Sequence, residues 1–314
     1  DARYWITTVT LFFLWATVAT QWNLVLGIAG IFSLAQLALF AVGAYGTAML
    51  MLYLEWSVWV AIPGSALIAV VASVLIGLAC LRLTGAYVAL LTLAIAQVMY
   101  ALIMTDTACF IEEAYRCQQF TGGSRGLARF GDFGFREWLG REWYLGNYYV
   151  GLALFAAAGL FAFLLIRSPI GLAFRALRDN RAYAASRGIS RFRFQLLVFA
   201  ASAFFTAMAG GFYAAHFGVV APNILDFSLL LLILAMIVVG GIGRQWGPIV
   251  GAALLMTANE FLKELPEFQD LGLGLIIILF IVFLPDGVVG AVRGRLAARR
   301  EAAGGTADAR SRGE

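Results

Sequence analysis

Charged residues are absent from long stretches of this chain. Positions 4–54 hold no Asp, Glu, Lys or Arg across 51 residues, and neither do 56–81 or 83–105. A helix needs roughly 20 apolar residues to cross a hydrocarbon core of about 30 Å, so the first run alone is long enough to cross twice. Lipid cannot satisfy backbone N–H and C=O groups, which makes helix the expected state of each run. A spanning β-barrel would show alternating segments of about 10 residues, and stretches such as 148–166 do not alternate. The pattern predicts an all-α, polytopic transmembrane helical bundle. About nine spans are expected, at 4–22, 31–53, 58–80, 86–105, 147–166, 194–216, 227–243, 247–263 and 270–286. The shortest lie at 227–263, where Gly240, Gly241, Gly243, Gly247 and Pro248 crowd the connection. Those residues are equally consistent with one re-entrant hairpin.

Composition narrows the class further. The chain is 62% hydrophobic and 13% charged, against about 25% charged in soluble domains. An ordinary soluble enzyme, a nucleic-acid binder and a disordered chain are excluded. The net charge of +4 informs only through its distribution. Segment 167–193 holds seven Arg against one Asp179, and the bias of short loops places such a segment on the cytoplasmic side. The tail after Pro285 carries six Arg and falls on the same side, four spans later. Loop 106–146 has five Arg against six acids and belongs outside. Counting back puts Arg82 inside, and Glu55 and Asp1 outside, a parity that predicts one more span upstream. A chain that opens on Asp1 rather than Met points the same way. The expected organisation is a transmembrane domain over 1–290, with an external loop at about 106–146 and a basic cytoplasmic segment at about 168–193. A flexible basic tail follows over 291–314.

Gly makes up 34 of 314 residues. The pairs Gly27/Gly30 and Gly43/Gly46 suit close helix packing, and Gly27–Gly30 also marks a break between the first two spans. Trp22, Trp56, Trp59 and Trp143 read as interfacial anchors.

Several segments together resemble the permease subunits of branched-chain amino-acid ABC importers of the leucine–isoleucine–valine type. They are Gly27-Ile-Ala-Gly30-Ile-Phe-Ser33-Leu-Ala-Gln36, Arg82-Leu-Thr-Gly85-Ala-Tyr87 running to Thr92, and Phe120-Thr-Gly122-Gly123-Ser-Arg-Gly126-Leu127. Ser168-Pro169-Ile-Gly171 continues through Arg175, Arg178-Asp179 and Ser186-Arg187-Gly188-Ile189. Gly210-Gly211-Phe-Tyr213, Val238-Val-Gly240-Gly241-Ile-Gly243 and Phe283-Leu-Pro285-Asp-Gly287 complete the series. The resemblance covers roughly 20–290. It implies one permease of a pair, working with a second homologous permease, two ATP-binding cassette subunits and a periplasmic substrate-binding protein in a bacterial inner membrane. No cofactor is implied in this chain, since ATP and Mg would be held by the partner ATPases. The region 171–189 would be the coupling segment, with Arg175, Arg178, Asp179 and Gly188 as coupling residues. It is expected as one helix over about 173–187, closed by Gly188 as a left-handed cap. Arg181, Ala185 and Gln97 stand where acids are common in the family.

The chemistry of the chain fits a transporter subunit better than an enzyme. No glycine leads into a Walker Gly-Lys-Ser/Thr, and neither a zinc-hydrolase nor a serine-hydrolase motif occurs. Glu112 and Glu113 are adjacent and do not share a helix face. One His and three scattered Cys make a metal site implausible. The spans are nearly free of ionisable residues, whereas ion-coupled carriers place such residues within them. Gln36, Tyr87, Thr92 and Gln97 are the candidates for lining a pathway, although Thr92 has the alternative of bonding its own helix backbone. Urea or short amides are the alternative cargo; an ion-coupled carrier, a channel or a scaffold subunit are the alternatives from other classes. Cys109 and Cys117 lie in the external loop, where they form a disulfide or remain two free thiols. Cys80 reads as a packing residue.

Overall fold

A computed structural model describes residues 2–80, 83, 85–113, 116–263, 269–284 and 286–292. Each of the nine predicted segments holds one apolar helix. These are α1 (Ala2–Asn23), α2 (Gln36–Tyr53), α3 (Val58–Cys80), α4 (Ala86–Met104), α6 (Trp143–Arg167), α9 (Arg191–Phe217), α10 (Phe227–Gly240), α11 (Gly247–Leu262) and α12 (Gln269–Phe283). Three shorter helices, α5 (Phe135–Leu139), α7 (Pro169–Asp179) and α8 (Arg181–Ser186), lie in the connections. Seven of the helical stretches are long and apolar enough to cross a bilayer. The protein is a helical membrane bundle. Arg82, Pro285 and the basic tail over 293–314 lie outside the described residues.

Helices α10 and α11 are 14 and 16 residues long, hence about 21 and 24 Å at 1.5 Å per residue. Neither matches the thickness of a hydrocarbon core alone. They form a tight hairpin because glycines let the backbones meet: a Cβ added at Gly251 would sit 1.8 Å from the Met236 carbonyl oxygen.

Helix α1 lies in the centre, packed against α6, α9, α10 and α11. It runs further than the pattern predicts, closing in a π turn over Leu24–Ile28. There Ala29 N–H donates to the Leu24 carbonyl at 3.0 Å, and Ile31 N–H to that of Val25 at 2.9 Å. Gly30, at φ +67°, then turns the chain out of the helix, and residues 29–35 run irregularly until α2 begins. Trp22 is not an interfacial anchor. It is buried, with its Nε1–H donating to the Ser33 carbonyl at 2.8 Å across the break.

Helices α2, α3 and α9 form the tightest layer. Gly43 meets the Ala207 backbone of α9, Gly210 meets the Phe40 carbonyl of α2, and Gly46 faces Ser65 of α3. Gly43 and Gly46 therefore serve two different neighbours. Thr47 and Ser65 exchange a buried hydroxyl bond of 2.7 Å, which gives two interior polar groups partners where lipid offers none.

One face of the bundle carries loop 106–146. Strands β1 (Cys109–Glu113) and β2 (Arg116–Gln119) pair antiparallel, and β3 (Leu127–Ala128) pairs with β4 (Val219–Val220), which follows α9. Asp106 Oδ2 accepts from Thr121 N–H and Oγ1–H, both at 2.6 Å. On this face Tyr4 O–H also donates to Glu260, joining the start of α1 to the end of α11. The opposite face gathers the π turn, α7, α8 and the α10–α11 turn. Loop 106–146 and the arginine-rich segment thus lie on opposite faces of the bundle.

Candidate functional site

The break between α1 and α2 gathers a series of buried and half-buried polar bonds. The Arg178 guanidinium, at the end of α7, donates from Nη1 to the Gly27 carbonyl at 2.8 Å. That carbonyl lies in the π turn. The stem of Arg178 rests on Gly30, where an added Cβ would fall 2.3 Å from Arg178 Cγ. A glycine with φ > 0 is thus needed here for both backbone shape and space. Gly30 thus seats an arginine, whereas the bare Cα of Gly27 admits the Gly243 backbone of the α10–α11 turn.

Asn23 closes the other side. It is 2% exposed; its Nδ2–H donates to the Arg244 carbonyl at 3.0 Å, while its Oδ1 accepts from Gly243 N–H at 2.9 Å. The α10–α11 turn is thereby tied to the same π turn that holds Arg178. Gly287, after α12, packs on Gly241 of that turn. Sequence reasoning missed Asn23 and Arg244. An amide four residues before Gly27, in a charge-free run, was the available signal for the first.

Beyond the break, the Leu34 N–H donates to Thr92 Oγ1 at 2.9 Å. Thr92 also donates back to the Val88 carbonyl at 2.8 Å, so it bonds its own helix and the break together. Gln36 is buried and donates to Thr206 of α9, which in turn donates to the Ser202 carbonyl at 2.8 Å. Gln36 and Thr92 therefore flank the same irregular segment. Tyr87 and Gln97 do not join them: both lie on the outward side of α4, Tyr87 at 68% exposure.

The basic segment differs from the single helix expected. It forms two, because Asn180 leaves the helical region at φ −151°, ψ 102°, and its Oδ1 accepts from Tyr183 N–H at 3.0 Å to cap α8. Ser168 caps α7, with Pro169 in the first turn. Gly188 has φ +81°. Its N–H donates to the Ala185 carbonyl at 3.0 Å and Ile189 N–H to that of Ala184 at 3.1 Å, the paired bonds of a Schellman motif. Arg175 Nη2 bonds the Ile166 carbonyl at 3.3 Å, and Asp179 pairs with Arg178 Nε at 3.0 Å. The coupling candidates thus split: the Arg178 guanidinium reaches the Gly27 carbonyl while its side chain stays 39% exposed, whereas the Asp179 side chain is 65% exposed.

In the loop, Cys109 is disulfide-bonded and Cys80 is free and buried. The chain's other cysteine, Cys117, lies in β2, whose backbone faces β1. Cys117 is in register with Glu112, and Cys109 with Gln119.

A family described as the branched-chain amino acid transport system permease component matches residues 4–284. The chain belongs to that family. Its matched region runs from the first turn of α1 to the end of α12 and includes Asn23, Gly27, Arg178, Gly243 and Arg244. Among curated relatives it is similar to the high-affinity branched-chain amino acid transport system permease protein LivM of Escherichia coli K12. The identity is 29%, over 97% of this chain and 74% of that protein. LivM of Salmonella typhimurium is also 29% identical, over 87% of this chain and 67% of the relative. A shorter likeness, 29% over 39% of each chain, links it to the autoinducer 2 import system permease protein LsrC of Photorhabdus laumondii. No solved structure matches significantly. As a member of this permease family, the chain is a multi-pass transporter subunit.

Proposed function

We propose that this permease forms, with a second homologous permease, the pathway for branched-chain amino acids in an ATP-driven importer of a bacterial inner membrane. The observation that carries the coupling part is the Arg178–Gly27 bond. It connects a basic surface segment directly to the carbonyl of a broken helix at the centre of the bundle. In this reading α7 and α8 dock on an ATP-binding cassette subunit, which holds ATP and Mg. The cytoplasmic side is the one with the arginines, and loop 106–146 meets a periplasmic substrate-binding protein. The substrate follows from family membership and from the names of the LivM relatives. A bundle whose described spans carry few ionisable groups is suited to a zwitterion handed over by a binding protein and driven from outside the chain.

The test is uptake of leucine into proteoliposomes. With both permeases, the ATPases and the binding protein present, uptake requires internal or external ATP on the side of the ATPases. Leucine uptake by this chain alone, driven by a proton or sodium gradient, would falsify the reading.

A further inference from the structure

A small cavity of about 80 Å³ opens on the arginine-rich face, between the irregular segment 29–35, the start of α4 and the start of α9. One water needs about 10–15 Å³ of such space, so the cavity admits roughly five to eight water-sized groups. Its lining combines four features. Among the described residues, Arg181 and Arg191 both border it and no acidic residue does. Arg191 spends its hydrogen bonds on neutral oxygens, Nη2 on the Leu83 carbonyl at 2.9 Å and Nε on Gln195 Oε1 at 3.3 Å. Neither arginine joins a salt bridge among the described residues.

Gln195 also lines the cavity, is 4% exposed, and its buried Nε2 has no hydrogen-bond partner. The bond from Arg191 fixes which end of the amide is oxygen, so the orphan is a donor. A buried donor left unpaired is costly, and here it stands beside two permanent positive charges. Finally, α4 and α9 both begin at the cavity, through Gly85 and Arg191, and neither has a side-chain cap. Two helix N-termini add free N–H groups and partial positive charge.

We propose that this cavity binds a phosphate group, as the headgroup of an anionic phospholipid or as free phosphate. Guanidinium forks match phosphate oxygens in pairs, and the tetrahedral anion offers acceptors to the amide and the helix ends at once. Its volume fits, and its charge offsets the repulsion between Arg181 and Arg191. The bound group would brace segment 29–35 against α9, through Ala29, Gly30 and Phe32 in the cavity wall. This site is separate from the substrate reading and does not require it.

The full-length chain, in nanodiscs of phosphatidylcholine, is titrated with inorganic phosphate by calorimetry. In parallel, chain purified from vesicles of phosphatidylcholine with phosphatidylglycerol is weighed by native mass spectrometry. Saturable phosphate binding, weakened at least tenfold by Arg181→Ala, supports the site and assigns a free anion. One retained phosphatidylglycerol, lost in Arg181→Ala, supports it and assigns the lipid. Gln195→Met, which removes the orphan donor without a charge change, weakens whichever ligand is found. Arg193→Ala, an exposed arginine outside the cavity lining, leaves binding unchanged. Binding of neither ligand, or equal losses in the Arg181 and Arg193 variants, overturns the proposal. Monodisperse gel filtration of each variant separates lost binding from lost fold.

Discussion

Arg178 Nη1 and the carbonyl oxygen of Gly27 lie 2.8 Å apart, although 151 residues separate them in the chain. The π turn makes this contact possible. Widening the last turn of α1 rearranges its hydrogen bonds, so that the Gly27 carbonyl points to an arginine. The bond ties the end of α7 to the end of α1, next to the irregular segment that leads into α2.

Gly30→Ala strikes that seat. A non-glycine residue at φ +67° costs about 1–2 kcal/mol, and the new methyl displaces the Arg178 stem. Trypsin cleavage after Arg178 in the folded protein is expected to accelerate severalfold relative to wild type. Unchanged cleavage would show that Arg178 does not depend on Gly30.

Asn23→Leu removes both bonds to the α10–α11 turn and leaves a buried Gly243 N–H without its acceptor. An unsatisfied buried group costs about 1–3 kcal/mol, so the apparent melting temperature drops clearly in fluorescence-detected gel filtration. Asn23→Asp keeps the acceptor and loses the donor, and falls between the two.

Glycine substitutions divide by position. A Cβ at Gly210 would sit 2.0 Å from the Phe40 carbonyl oxygen, whereas at Gly159 nothing lies within 4 Å. Gly210→Ala is expected to destabilise by about 1–3 kcal/mol through overpacking. Gly159→Ala is neutral or stabilising by up to about 1 kcal/mol, from helix propensity. Equal effects in a thermal unfolding series would contradict the packing of α2 on α9.

Cys109 is disulfide-bonded, and the expected partner is Cys117. A closed loop this short contributes about 2–3 kcal/mol. Peptide mapping without reductant should recover a linked pair from 109 and 117, and Cys109→Ser should lower the melting temperature. Alkylation of both thiols in the folded, unreduced protein contradicts the pairing.

Apolar run lengths were enough to locate the nine apolar helices of the described residues, because bilayer thickness and backbone hydrogen bonding leave so few alternatives. Arginine counts separate segment 167–193 from loop 106–146, and the structure groups Arg178 with Gly27 and Leu127 with Val220. The end of α1 was less legible. Periodicity does not distinguish a π turn from an α turn, and the polar atoms that matter there are backbone carbonyls. The split of the basic segment had a local signal in Asn180, a strong N-cap residue, outweighed by the expectation of one continuous helix. Among the pathway candidates, side-chain polarity alone placed Gln36 and Thr92 with Tyr87 and Gln97. The structure separates them because residues on α4 fall on different faces of that helix.

The most direct measurement is the number of ATP molecules hydrolysed per leucine imported, in proteoliposomes holding the complete importer, with wild-type chain and with Arg178→Ala. The account predicts that the variant assembles with the ATPases and hydrolyses ATP while leucine uptake falls at least tenfold. Asp179→Ala, an exposed change expected to alter stability by under about 0.5 kcal/mol, should lose much less. Normal stoichiometry in Arg178→Ala would contradict coupling through the Arg178–Gly27 bond.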